Sequence, residues 1–242
     1  MTDSAPVQGI KALLFDVFGT VVDWRASLIE DLTAWASVRG VKADWTALVD
    51  AWRGAYVPSM DEVRKHPERG FRKLDLLHRQ SLDRLIERFG IVGLSEQDRV
   101  TITTAWHRLR PWPDAVAGLT RLRKGYIIGT LSNGNVALLT NMAKHAGLPW
   151  DVILSAELFG HYKRDAEVYR GAADLLDLEP RQIMMVAAHN DDLAAARKQG
   201  MLTAFVARPG EYGPHQSKDF EADQAWTLVA RDFNELADRL GQ

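Results

Sequence analysis

The sequence predicts an α/β fold in which a Rossmann-like parallel sheet carries an inserted helical cap domain. Short apolar runs with the length of buried strands stand at the start of the chain and recur, alternating with helical patterns, from Pro111 onward. Residues 23–110, which lie between these parts, are charge-rich, show helical periodicity and contain no strand-like run. We therefore expect a Rossmann-like core of residues 1–22 and 111–242 and a helical cap of residues 23–110.

The first core strand is expected from Ile10 to Phe15, where Lys11 is the only charge. Four helices are expected in the cap, because apolar residues recur at helical spacing in each of them. Gly40 marks the end of the first of these helices, and the second is expected to end near Pro58. The predicted cap helices are Trp24–Ser37, Trp45–Tyr56, Phe71–Phe89 and Ser95–Leu109.

From Pro111 the alternation of strand and helix patterns predicts parallel strands joined by right-handed crossovers. The predicted strands are Tyr126–Leu131, Val152–Ser155, Ile183–Ala188, Leu202–Val206 and Thr227–Val229. The predicted helices are Asn135–Ala146, Ala166–Leu176, Asp191–Gln199 and Asp232–Leu240. The stretch from Pro209 to Pro214 is rich in turn residues and is predicted to be a surface loop.

Composition excludes several classes of function. The 242 residues are 46% hydrophobic with a formal net charge of -2, which fits a globular protein without long-range attraction for nucleic acid or membrane. The absence of cysteine excludes disulfides and thiolate chemistry. No apolar stretch approaches the ~20 residues that span a bilayer, and Met1–Gly9 shows no secretory signal. We expect a cytoplasmic protein that binds neither nucleic acid nor membrane.

Asp16 follows the first predicted strand, directly before the turn at Gly19 and Thr20. Ligands of open α/β sheets collect at the carboxyl ends of the strands. A part-desolvated carboxylate near backbone N–H groups can act there as a nucleophile. An aspartate that caps the next turn is the commoner arrangement after a strand, and the spacing alone leaves both interpretations open.

The motif Asp-x-Phe-Gly-Thr-Val-x-Asp at residues 16–23 resembles the first motif of the haloacid dehalogenase superfamily and, within it, that of the L-2-haloacid dehalogenases. The narrower resemblance depends on Phe18. The superfamily's phosphatases carry a second aspartate at this position, and a phenyl ring cannot transfer a proton in its place. The resemblance covers essentially the whole chain. It implies hydrolysis of short 2-haloalkanoic acids to 2-hydroxy acids through an ester on Asp16, with neither metal nor cofactor.

Two later segments continue the resemblance. Ser132 and Asn133 match a serine and an asparagine that hydrogen-bond the substrate carboxylate region in the dehalogenases. Lys163 and Tyr169 match a Lys-Pro-x-x-x-x-Tyr segment in which Arg164 replaces the proline, and the lysine would hold the nucleophilic carboxylate. Without the resemblance, Ser132 or Asn133 would be interpreted as the cap of the following helix, and Lys163 as a solvent-exposed side chain.

The fourth motif ends at Asp192, which matches the acidic residue that pairs with the lysine and helps to place the hydrolytic water. Dehalogenases typically carry Ser-Ser-Asn before this aspartate, whereas this chain has Ala187 and His189 at the first and third of those positions. Because imidazole can accept a proton near neutral pH, we expect His189 to act in ester hydrolysis. The alternatives are a His189 turned toward a loop carbonyl, and helix-capping roles for Asp191 and Asp192.

In the cap, Trp52-Arg53 matches a Trp-Arg pair whose arginine withdraws the departing halide. A guanidinium is always charged and multidentate, which suits an anion released in an apolar pocket. Without the resemblance, Arg53 would be assigned to solvent. Trp24, Tyr56 and Phe18 are candidates for the pocket wall.

The resemblance, together with the departure at His189, gives twelve candidate site residues. The catalytic residues would be Asp16, Thr20, Arg53, Ser132, Lys163, His189 and Asp192, and the substrate-binding residues Phe18, Trp52, Asn133, Tyr169 and Asn190. The expected partners are a small haloacid and halide, with a homodimer as the expected assembly and no metal site. Two alternatives stay open: a Mg²⁺-dependent phosphatase with Asp191 and Asp192 as ligands, and a catalytically silent binding protein.

Overall fold

The computed structural model describes residues 8–242. Most of Met1–Gly9, for which no secretory signal was predicted, lies outside the described residues. Within residues 8–242, no helix has both the length and the apolar character needed to cross a membrane.

The strands of the described chain form one large parallel sheet and one short antiparallel ribbon. They are β1 (Ala12–Phe15), β2 (Val22–Asp23), β3 (Arg110–Pro111), β4 (Ile127–Ser132), β5 (Val152–Ser155), β6 (Ile183–Ala187), β7 (Leu202–Val206) and β8 (Leu228–Ala230). The sheet has the order β5-β4-β1-β6-β7-β8, and β2 pairs with β3. This parallel sheet with its flanking helices confirms the predicted fold class.

Helices account for most of the remaining chain between residues 24 and 239. They are α1 (Trp24–Arg39), α2 (Trp45–Gly54), α3 (Tyr56–Lys65), α4 (Leu74–Arg88), α5 (Glu96–Thr103), α6 (Ala115–Leu122), α7 (Val136–Ala146), α8 (Ala156–Phe159), α9 (Ala166–Leu175), α10 (Asn190–Lys198) and α11 (Phe233–Arg239). The first five lie between β2 and β3, and the others follow β3.

Strand β1 lies in the interior of the sheet with both faces covered. Leu13 and Phe15 pack into one apolar cluster and Leu14 into the other, and all three are fully buried. This two-sided burial explains why β1 is a continuous apolar run. Phe15 lies beside Thr130 of β4 and Val186 of β6. The residues that follow these three strands therefore meet at one edge of the sheet.

The ribbon of β2 and β3 joins the sheet to the five helices of the cap. Asp23 pairs with Arg110, so the two chain connections run side by side. The Asp23 side chain accepts a hydrogen bond from the backbone N–H of Ala26 and caps α1. The division of the chain at residues 22/23 and 110/111 stays a prediction, and it falls at this ribbon.

Two predicted cap helices have different limits in the structure. The helix expected to end near Pro58 is two helices, α2 and α3, and Pro58 lies in the first turn of α3. A proline is tolerated there because the first turn of a helix does not use that N–H group. The helix expected over Ser95–Leu109 begins with a Ser95–Asp98 capping box, but α5 gives way to a 3₁₀ helix over Thr104–Arg108.

Candidate active site

A cavity of about 500 Å³ lies between the carboxyl edge of the sheet and helices α2 and α3. Segments that follow four neighbouring strands, β5, β4, β1 and β6, supply one wall, and the cap supplies the other. The polar wall residues from the sheet edge are Asp16, Asn133, Lys163, His189 and Asp192, and Arg53, Tyr56 and Met60 face them from the cap.

Asp16 is held at the end of β1 by three side chains. Its Oδ1 accepts a hydrogen bond from Lys163 Nζ at 2.8 Å, and its Oδ2 accepts one from Thr20 Oγ1 at 2.8 Å. His189 Nδ1 lies 3.1 Å from the same Oδ2. Burial opposes ionisation of Asp16, but Lys163 and His189 outweigh burial and hold its pKa well below the usual range. Asp16 is therefore an ionised, positioned carboxylate, as a nucleophile requires.

The Lys163 ammonium lies between two carboxylates. It donates to Asp16 at 2.8 Å and to Asp192 Oδ2 at 2.6 Å, and the Tyr169 hydroxyl donates to Asp192 Oδ1 at 2.6 Å. Burial opposes the charge of Lys163, but the two carboxylates raise its pKa above the ordinary value. Burial raises the pKa of Asp192, which lacks the second cation that His189 gives to Asp16. Asp192 and Tyr169 thus fix the lysine that holds Asp16.

These residues do not fit the Mg²⁺ ion used by the phosphatases of the superfamily. Both Asp192 oxygens are taken by Lys163 and Tyr169. Asp191 is largely exposed and pairs with Arg164. The position between the carboxylates of Asp16 and Asp192 is filled by an ammonium group, so we derive no step through a metal.

His189 is turned toward the cavity and not toward a loop carbonyl. Its Nδ1 faces Asp16, and its Nε2 lies 3.0 Å from Oε2 of Glu211, a carboxylate that also accepts from Trp24 Nε1 at 3.0 Å. Burial opposes protonation of His189, but Glu211 and Asp16 raise its pKa well above the ordinary value. The ring is therefore an imidazolium that donates to a carboxylate on each side.

The sequence did not predict Glu211, and the prediction of a surface loop over Pro209–Pro214 is wrong at this residue, which is 1% exposed. Gly19 makes its position possible: φ is +88°, and a Cβ atom there would lie 2.1 Å from Glu211 Oε1. Arg208 ties the start of this loop to the first motif through a 2.8 Å hydrogen bond to the Thr20 carbonyl. These contacts join residues that lie almost 200 positions apart in the chain. The only indication of them in the sequence is a glutamate within a turn-rich loop.

Arg53 reaches the cavity from the end of α2. Its guanidinium carbon lies 4.4 Å from the ring centre of Tyr56 and 5.2 Å from that of Trp24. Its Nη1 is buried and has no hydrogen-bond partner among residues 8–242. Because a buried charge is costly unless it is paired, this guanidinium is placed to receive an anion. Trp24 and Tyr56 line the cavity, as does Phe18.

Three residues expected to bind substrate, Trp52, Asn190 and Tyr169, do not lie on the cavity wall. Trp52 donates from Nε1 to the His78 carbonyl at 3.0 Å, inside the cap. Its indole ring also packs on the rings of His78 and Trp106, so Trp52 does not share the cavity wall with Arg53. Asn190 uses its side-chain amide to anchor the loop after β7, donating to Asp219 and accepting from Trp226 at 2.9 Å.

Ser132, Thr20 and Tyr169 also lie behind the wall. Ser132 is fully buried, and its Oγ accepts from the backbone N–H of Gly134. Thr20 bonds Asp16 and accepts from the Ala188 N–H at 2.9 Å, while Tyr169 acts on Asp192 alone. These three residues therefore hold the wall residues in position and do not contact a substrate directly.

Asn133, by contrast, lies on the wall. Its Oδ1 accepts the backbone N–H of Lys163 at 2.7 Å, which ties the loop after β4 to the segment that carries the lysine.

Comparison with known proteins fits this geometry. The sequence model of the haloacid dehalogenase-like hydrolases matches residues 10–200. The (S)-2-haloacid dehalogenase 4A of Burkholderia cepacia is 28% identical over 96% of this chain and 100% of its own. The crystal structure of the L-2-haloacid dehalogenase PA0810 is 52% identical with a TM-score of 0.93, covering 96% of this chain and 99% of that one. The defluorinating L-2-haloacid dehalogenase Rha0230 is 43% identical with a TM-score of 0.93 and covers 96% of each chain. The chain therefore belongs to the haloacid dehalogenase-like hydrolases and, among them, to the L-2-haloacid dehalogenase family.

Proposed function

We propose that the protein hydrolyses short 2-haloalkanoic acids to 2-hydroxy acids through an ester on Asp16. One observation carries the proposal: an ionised Asp16 faces the same cavity as Arg53, whose buried Nη1 atom has no hydrogen-bond partner among the described residues. A nucleophile and an anion receptor across one cavity are what displacement of a halide requires. The names of the related enzymes support this reaction.

In the first step, a lone pair of an Asp16 carboxylate oxygen forms a bond to C2 of the substrate. The carbon–halogen bond breaks at the same time, the halide leaves with the electron pair, and C2 is inverted. Arg53 receives the halide, since its Nη1 is free to donate. Lys163 holds the attacking carboxylate in place at 2.8 Å, and Asn133 lies on the wall where the substrate carboxylate binds.

In the second step, water attacks the carbonyl carbon of the Asp16 ester. Esterified Asp16 carries no charge, so the pKa of His189 falls and the Nδ1 proton is released to solvent, while Glu211 keeps the proton on Nε2. Neutral His189 then takes a proton from the water and returns it to the departing alkoxide, which becomes the product hydroxyl. The second proton of the water passes from the Asp16 carboxyl to His189 Nδ1, which restores the imidazolium beside an ionised Asp16. Asp192 keeps Lys163 beside the reacting carbonyl.

A halide-release assay with (S)-2-chloropropionate tests the function. Release should proceed at full rate in excess EDTA, and Asp16→Asn should abolish it without loss of the folded circular-dichroism spectrum. A parallel assay with a phosphate monoester, with and without Mg²⁺, should give no phosphate. A strict Mg²⁺ requirement with phosphate release would instead favour the phosphatase alternative, and no turnover in either assay would favour a binding protein.

We also propose a cytoplasmic homodimer, as is common in similar enzymes. Light scattering on the purified full chain tests the assembly. A mass of one chain across the micromolar range would contradict it.

A further inference from the structure

The active-site cavity is larger than a short haloacid requires. Its volume is about 500 Å³, within the range of ~300–1,000 Å³ that encloses drug-sized ligands. A 2-chloropropionate ion has only a handful of non-hydrogen atoms. Asp16 and Arg53 bracket its reacting carbon and halogen, so much of the cavity lies beyond the reacting atoms.

The cap side of this remaining space is apolar. Val57 and Met60 of α3 line it, with Tyr56 on the same helix and Tyr212 on the loop opposite. Side chains of this kind recognise an uncharged, hydrophobic group.

The arginines at the mouth of the cavity are already paired. Arg25 forms two hydrogen bonds to Asp50, at 2.7 and 2.8 Å. Arg64 binds Asp61 at 2.8 Å, and a third arginine, Arg164, pairs with the Asp191 carboxylate. A second anionic group on the substrate would have to compete with these carboxylates, whereas an apolar group would not.

Gly54 leaves the mouth open. It is the last residue of α2, next to Arg53, and its φ lies outside the left-handed region, so the backbone does not require glycine. A Cβ atom built on it would meet no atom within 4 Å. The missing side chain therefore contributes room at the cavity wall.

We propose that the site accepts 2-haloalkanoic acids with a bulky apolar substituent beyond C2, and that Gly54 sets the size limit. This inference rests on the proposed function. The substituent would lie along Val57 and Met60, with the halogen on Arg53 and C2 before Asp16.

The test compares kcat/KM for (S)-2-chloropropionate and (S)-2-chloro-3-phenylpropionate. The unmodified enzyme should turn over both. Gly54→Phe should lower the ratio of bulky to small substrate by about tenfold or more, the scale for obstructing an apolar subsite, with a smaller drop in Gly54→Ala. Val38→Phe adds the same ring to a cap residue that is 88% exposed and not on the cavity wall, and it should leave the ratio unchanged.

Turnover of the short substrate alone by the unmodified enzyme would overturn the inference and leave the proposed function standing. An equal loss for both substrates in Gly54→Phe would also overturn it. If Gly54→Phe does not fold, Gly54→Leu takes its place.

If neither substrate releases halide, the proposed function fails. Calorimetric binding of 3-phenyllactate against lactate then still decides the size claim: tighter binding of 3-phenyllactate supports it, and equal or weaker binding overturns it.

Discussion

The two walls of the cavity differ in how their polar atoms are satisfied. On the sheet edge, Lys163 donates to both Asp16 and Asp192, and His189 has a carboxylate partner on each ring nitrogen. On the cap side, the buried atoms without a hydrogen-bond partner among the described residues are Arg53 Nη1, both ring nitrogens of His78 and Trp106 Nε1.

This difference corresponds to two roles. The sheet edge positions a nucleophile, and the cap provides a group that can receive an anion. The sheet edge holds its carboxylate in position before substrate arrives, so little reorganisation is needed at attack. The cap leaves Nη1 of Arg53 without a hydrogen-bond partner among the described residues, and an anion in the cavity would supply one. Burial lowers the pKa of His78 to about 3, so this neighbour of Arg53 is neutral at physiological pH and adds no competing charge.

The strongest test of the sheet edge is His189→Ala. General-base removal should slow ester hydrolysis by roughly 10²–10⁴-fold, while ester formation stays near normal because Lys163 still holds Asp16. Rapid quench with intact-mass detection should show the ester accumulating. Glu211→Gln should give a smaller accumulation, since the imidazole stays but loses its orienting charge. If only ester formation slows, or neither step does, His189 is not the partner of the water.

The cap wall is tested by Arg53→Ala. Loss of the charge-assisted contact to the departing halide should raise the barrier to ester formation by about 2–4 kcal/mol. Hydrolysis of the ester, once formed, should be nearly unaffected, and Arg53→Lys should restore part of the rate because it keeps the charge. Single-turnover kinetics separates the two steps. A full rate of ester formation in Arg53→Ala would contradict a role in halide departure and leave this arginine with a structural role only.

The pH dependence of the two steps sharpens the comparison with a smaller effect. Asp16 has a lowered pKa, so it stays ionised and ester formation should be flat from pH 5 to pH 8, a window of about three units around neutrality. Hydrolysis needs neutral His189, so its rate should rise with pH through the pKa of that residue in the ester. Single-turnover rates across this window measure both. A bell-shaped profile for ester formation would contradict the assignment of charge.

The residues at the sheet edge were far more predictable from the sequence than the residues that hold them in position. Asp16 follows a recognisable buried strand, and the family resemblance identifies Lys163 and Asp192 in segments that follow other strands, which the parallel topology brings to the same edge of the sheet. The prediction for Trp52 is wrong because Trp52 and Arg53, although adjacent in sequence, point in different directions from the helix. Glu211 depends on a loop whose path is set by long-range contacts of Arg208 and Gly19, which no local pattern contains.

The central claim is that an Asp16 oxygen becomes the hydroxyl oxygen of the product. Excess enzyme should be allowed a single turnover of (S)-2-chloropropionate in oxygen-18 water, with the product and the Asp16 peptide analysed by mass spectrometry. The product should carry no label at its hydroxyl, and the label should appear in the Asp16 carboxylate, because water attacks the ester carbonyl. Label in the product hydroxyl after one turnover would mean direct attack by water on C2 and would contradict the account.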